Sequence, residues 1–180
     1  DDAQTIGLLG QLSGGVNTLL DQAVAAQFIT ADEAAGRTLG WSAGVNPLLI
    51  EDEALTDLGP FFDAAQAQGG MDAAQRAQLV PFEKARMARS GEIIHLLGGT
   101  MIGTPHPSGD PNLILGITAP MPDVAFLTGT ELVHIETQRA IFNGAIKQAV
   151  ATHGGGRVAV ADFDGFFQSL AGASPLSMNN

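Results

Sequence analysis

One passage near the end of the chain constrains its fold more than any other, because it joins a capped amphipathic helix directly to a short continuous apolar run. Thr128-Gly129-Thr130-Glu131 reads as a capping box, in which hydroxyl and carboxylate each satisfy the other residue's free backbone amide. Ile135, Phe142, Ile146 and Val150 fall on one helical face and predict a buried stripe. His153-Gly154 supplies the stop, so the helix is expected over about 130–152. Arg157-Val158-Ala159-Val160-Ala161 follows without polar alternation, the pattern of a parallel strand covered on both faces. Asp164 is then placed to cap a further short helix through Phe166, Phe167 and Leu170. Helix, strand, helix in this order is the grammar of an α/β domain.

The earlier chain fits the same class with weaker signals. Val16, Leu19, Leu20, Ala23, Val24 and Phe28 repeat at three and four residues and predict a helix ending near Phe28. Thr30-Ala31-Asp32-Glu33 reads as another capping box at the start of a short helix. Pro47-Leu48-Leu49-Ile50 suggests a brief strand closed by Glu51-Asp52-Glu53. Residues 58–70 predict a short helix between turns, and 72–87 a helix that Pro81 must interrupt or restart. Glu92-Ile93-Ile94-His95-Leu96-Leu97 before Gly98-Gly99 is the best early strand candidate. Residues 100–122 carry five prolines and several glycines and read as a long loop with an extended piece at 113–117.

Composition narrows the partners. The 180 residues, 45% of them hydrophobic, suffice for one core, so a single domain over 1–180 is expected. A formal charge of -11 repels phosphate backbones and anionic headgroups, which argues against nucleic acid. The absence of cysteine removes disulfides, thiolate metal sites and a thiol nucleophile. No apolar run approaches the roughly 20 residues of a spanning helix. Asp1-Asp2-Ala3-Gln4, without an initiator Met, has the look of a processed or trimmed start.

Four patterns bear on chemistry. Gly40-Trp41-Ser42-Ala43-Gly44 matches the Gly-x-Ser-x-Gly elbow, which needs a buried strand before Ser42 and a helix after it, but Ala34 to Leu39 and Val45-Asn46-Pro47 supply neither. His153-Gly154-Gly155-Gly156 resembles an oxyanion loop, yet a helix stop followed by a turn accounts for it without chemistry. Glu92-x-x-His95 and Glu131-x-x-His134 have the ligand spacing of di-iron bundles, which also need two further glutamates on partner helices; an amphipathic helix surface is the simpler account of the second pair, and no metal or other cofactor is expected. His106, in Thr104-Pro105-His106-Pro107-Ser108-Gly109-Asp110, lies in a polar loop that could reach a site or simply be solvated.

Two longer passages carry a family resemblance. Residues 29–38 and 41–58, including Trp41-Ser42-Ala43-Gly44-Val45-Asn46-Pro47-Leu48-Leu49-Ile50-Glu51-Asp52-Glu53, resemble an internal portion of bacterial envelope GDSL-type lipase-like proteins. Phe142-Asn143-Gly144-Ala145-Ile146-Lys147, then Val158-Ala159-Val160-Ala161-Asp162 and Phe166-Phe167, resemble the helix, strand and aspartate passage of SGNH hydrolases. The resemblance spans about residues 16–171 and implies a partial flavodoxin-like three-layer arrangement with parallel strands. It also implies a serine esterase or lipase-like hydrolase of carboxylic esters, in a secreted, periplasmic or outer-envelope setting.

That family's catalytic blocks are absent here. No Gly-Asp-Ser, Gly-x-Asn-Asp or C-terminal Asp-x-x-His occurs; Ser108-Gly109-Asp110 runs in the wrong order, and no histidine follows His153. Catalytic residues are therefore unassigned, with the family's serine and asparagine expected before residue 1 and its histidine after residue 180. The chain is either scaffold from a larger hydrolase, with residues 100–122 shaping the substrate side, or a non-catalytic subunit of an envelope assembly. An α/β-hydrolase-like esterase using Ser42 is a third possibility.

Overall fold

A computed structural model of the protein describes residues 2–172, with side chains described from residue 6 onward except at 8, 168 and 170–172. The expected contact of Leu170 and the segment 173–180 lie outside the described residues. Helices are mixed with short strands, so the class is broadly α/β. The chain divides into two compact units, Asp1–Leu132 and Val133–Asn180.

In the first unit α1 (Asp2–Ala25) buries Val16, Leu20 and Ala23, residues of the stripe read from the sequence. Its end is a Schellman motif: the Phe28 amide donates to Ala23 O and the Gln27 amide to Val24 O, both at 2.9 Å, and Gln27 takes a left-handed φ of 58°. That turn seats Phe28 against Phe61, ring centroids 5.7 Å apart. Thr30 caps α2 (Ala31–Arg37), its hydroxyl accepting from the Glu33 amide at 3.1 Å. The expected box is only half formed, because Glu33 turns its carboxylate to Arg37 and to the amide and hydroxyl of Thr56.

β1 (Leu49–Glu51) follows, then α3 (Gly59–Ala67), which matches the helix expected between turns. α4 (Ala73–Leu79) starts from a capping box between Asp72 and Gln75 that the sequence reading missed. Pro81 converts its end into a tight turn over Val80–Phe82, and the helix does not resume. Instead β2 (Ala85–Met87) pairs antiparallel with β1, Ile50 opposite Arg86. β3 (Ile93–Ile94) pairs antiparallel with β4 (Phe126–Leu127).

The parallel sheet expected of a flavodoxin-like arrangement is not formed among the described residues, where parallel pairing is limited to isolated bridges at Ile50 with Met121 and Leu115 with Ala119. The strand expected over 92–97 shrinks to two residues. His95 Nδ1 accepts from the Leu97 and Gly98 amides, which starts a turn and leaves Leu96 92% exposed.

Because successive strand residues point to opposite faces, Leu49 and Ile50 serve different clusters. Leu49 packs with Val16, Leu39, Phe82 and Ala85, while Ile50 packs with Leu115, Ala119, Met121 and Phe126. A third cluster of Leu20, Ala23, Ile29, Leu58 and Phe62 joins α1, α2 and α3. Two arginines are buried with these residues. Arg37 donates to the carbonyls of Thr56 and Glu83 at 2.7 and 2.6 Å, and burial holds its pKa below the usual arginine value. Arg86 donates to Asp52 at 2.6 Å and grips both oxygens of Glu92.

The second unit follows the start of α5 (Gly129–His153), whose bounds agree with the sequence reading. Thr128 and Glu131 form the expected box: the Thr128 amide donates to Glu131 Oε2 at 2.8 Å and the Glu131 amide to Thr128 Oγ1 at 3.3 Å. The expected burial is absent, since no described residue of α5 is buried and Phe142 is 66% exposed. Residues 157–161 form no strand, and Val158 and Val160 face solvent. A strand needs a hydrogen-bonded neighbour, and none of the described residues supplies one here. α6 (Phe163–Gly172) is capped two residues before the expected position, by Asp162, whose Oδ1 accepts from the Gly165 amide at 3.0 Å. Asp164 instead binds α5, accepting from Asn143 Nδ2 at 3.1 Å and pairing with Arg139.

Candidate functional site: a proline-walled cleft

Within the first unit, the turn after α4 and residues 100–122 enclose a cleft of about 520 Å³. Pro81 forms one side, because it ends α4 and delivers Glu83 and Lys84 to the approach of β2. The opposite wall is the long loop, and main-chain bonds give it a fixed course. His106 donates to Leu113 O at 2.8 Å, Leu115 to Thr104 O at 2.9 Å and Gly103 to Leu115 O at 3.0 Å. The loop is then stitched along β1: Leu49 donates to Gly116 O, Met121 to Leu49 O and Glu51 to Met121 O, at 3.0, 2.8 and 2.8 Å. Gly116 makes this possible with a φ of 80°, at a point where a Cβ would lie 3.1 Å from the Leu48 side chain.

Pro107, Pro120, Pro122, Met101 and Leu115 give the loop side of the cleft an apolar surface. Glu51, Asp57, Glu83 and Lys84 contribute charge from the other elements. Glu83 is tied back to Arg76 at 2.7 Å, and Asp57 Oδ1 accepts from the Gly59 amide at 2.8 Å. Lys84 reaches Glu53 O at 3.4 Å. His106 lines the cleft with its Nδ1 accepting from the Ser108 amide at 3.2 Å and lying 2.9 Å from Ser108 Oγ, which makes Nε2 the donor of the neutral ring.

The other sequence candidates lie elsewhere. Ser42 sits exposed in a coil turn, its amide donating to Asn46 Oδ1 at 2.8 Å, with no strand leading in and no helix leading out, so the elbow is not built. His153 ends α5, and Gly155 and Gly156 take φ values of 56° and 74°, as a helix stop and turn require. Glu92 is occupied by Arg86, by the Arg89 amide at 2.7 Å and by the Gly129 amide at 3.3 Å, while both lobes of donation into His95 Nδ1 come from backbone. Glu131 is engaged by Thr128, and His134 is exposed on α5.

Two groupings escaped the sequence reading. Glu51, Asp57, Glu83 and Lys84 come from separate segments that only tertiary structure unites. Glu53, Asp123 and Glu131 place carboxylate oxygens within 4.8 Å of one another, from positions with no local spacing in common. Among the described residues no helix is long and apolar enough to cross a membrane. The chain matches no protein-family model, and neither a curated protein nor a solved structure matches it significantly.

Proposed function

We propose that these residues are the scaffold portion of an SGNH-type hydrolase of carboxylic esters in a secreted, periplasmic or outer-envelope setting, with serine, oxyanion donors and histidine supplied by other parts of the protein. The observation that supports it is the second unit's apolar surface. Val158 and Val160, with Ile135, Phe142 and Ile146 of α5, are turned to solvent. A continuous apolar run is stable as a strand only between two hydrogen-bonded neighbours and beneath covering helices. Parallel strands from elsewhere in the protein would complete a flavodoxin-like sheet, with α5 as one of its layers.

A fluorophosphonate probe tests the assignment on the native protein isolated from its source and on the 180-residue chain. The native protein is expected to label at a serine outside these residues, and the chain to stay unlabelled. Labelling abolished by Ser42→Ala would overturn it. The missing catalytic motifs favour one other reading, a non-catalytic envelope subunit whose partner covers the same apolar surface. It requires a native mass equal to the 18.5 kDa of this chain and no labelling.

A further inference from the structure

We propose that the proline-walled cleft is a binding site for a small, apolar, uncharged organic ligand, and that its carboxylates discriminate against anions of the same shape. The inference does not depend on the hydrolase assignment. Size and preformation come first. A volume of about 520 Å³ falls inside the range of roughly 300–1,000 Å³ typical of small-molecule sites. Four prolines, at 81, 107, 120 and 122, hold its walls, and the main-chain bonds from residues 103–121 to one another and to β1 fix the loop before any ligand arrives. Little ordering is left for binding to cost.

The lining then selects the ligand. Val80 is 54% exposed and borders the cleft, so an apolar ligand removes from water a surface that no side chain of the protein covers. Donors are few, namely His106 and Lys84, which suits a ligand with an oxygen or two and no array of polar groups. Three carboxylates, of Glu51, Asp57 and Glu83, face the single ammonium of Lys84. Glu83 is paired with Arg76, which leaves Glu51 and Asp57 against Lys84, an excess of one negative charge among the lining groups. A ligand carboxylate entering beside them meets repulsion that salt screens.

The test uses amide chemical-shift titrations of the 180-residue chain with 1-hexanol and with hexanoate. Hexanol is expected to shift the amides of Val80, Phe82, Glu83, Lys84, Gly103, Thr104 and His106 saturably, with hexanoate about fivefold weaker at low salt. The gap should close at high salt and in Glu51→Gln/Asp57→Asn. Val80→Asp, at a position 54% exposed, should weaken hexanol while leaving the remaining spectrum in place. Absence of saturation, shifts centred elsewhere, equal affinity for hexanoate, or indifference to Val80→Asp would each overturn the proposal, whatever the fluorophosphonate result.

Discussion

Arg86 and Glu92 form a two-pronged ion pair, Nη1 to Oε2 at 2.9 Å and Nη2 to Oε1 at 2.5 Å, with 1% and 3% of their side chains accessible to solvent. Asp52 completes the arrangement on Arg86 Nε. The pair ties β2 to the segment leading into β3, and so joins the two small sheets of the first unit through charge.

Burial acts to raise the Glu92 pKa, but the hydrogen bonds from Arg86 and from the Arg89 amide outweigh it and hold the carboxyl below the usual glutamate range. A depressed folded-state value means that the ionised form favours folding. This contribution is fully present above the unfolded value of about 4.3 and is lost as pH falls through the folded one. Urea unfolding of the chain across acid pH should show that loss, and Glu92→Gln should flatten its slope. At neutral pH the same substitution should cost about 3 kcal/mol, because it strips a buried arginine of its best partner.

Gln27 occupies the left-handed position that closes α1, where a side chain is strained by roughly 1 kcal/mol relative to glycine. Gln27→Gly should therefore raise the urea midpoint, whereas glycine placed in the interior of α1 would lower it. A lowered midpoint would show that the turn does not persist in solution.

Gly98 is buried with no room for a methyl group: a Cβ would stand 2.7 Å from Ala125 O and 3.1 Å from Ile94 Cγ2. Gly98→Ala should destabilise the chain by about 1–3 kcal/mol, since the nearest obstacle is backbone. Gly99→Ala, where a Cβ would meet open space, is the matched control and should change little.

Ile146 is an exposed member of the α5 stripe. Ile146→Ser should shift the stability of the isolated chain by less than about 0.5 kcal/mol. In a protein whose sheet covers that face, the same change should cost about 2–4 kcal/mol, as a truncation in a packed core does. Comparing the two melting curves measures whether α5 acquires a cover.

Local chemistry was legible where it was self-contained. The Thr128 and Glu131 box and the glycines after His153 work within one turn, and the structure has both where the sequence indicated them. Thr30 and Glu33 share that pattern, but Arg37 and Thr56 compete for the carboxylate and win it. β2 was hidden inside a helix-like stretch. Ala85, Arg86 and Met87 favour helix, and Asp52 and Glu92 draw Arg86 into the sheet from 34 residues before it and 6 after. The cleft was legible only as a loop, because its acidic side is drawn from segments without a shared motif.

Residues 103–121 keep their course through main-chain bonds, through local side-chain bonds at His106, Ser108, Asp110, Asn112 and Thr118, and through the buried Leu115 and Met121, which leaves the exposed lining of the cleft outside that task. Substitutions at the exposed Val80 and Pro107 can then retune what the cavity accepts while Leu115 and Met121 stay packed beneath it. Such a surface can diverge quickly in preference without passing through unfolded intermediates, which makes it a natural starting material for laboratory selection of new specificities.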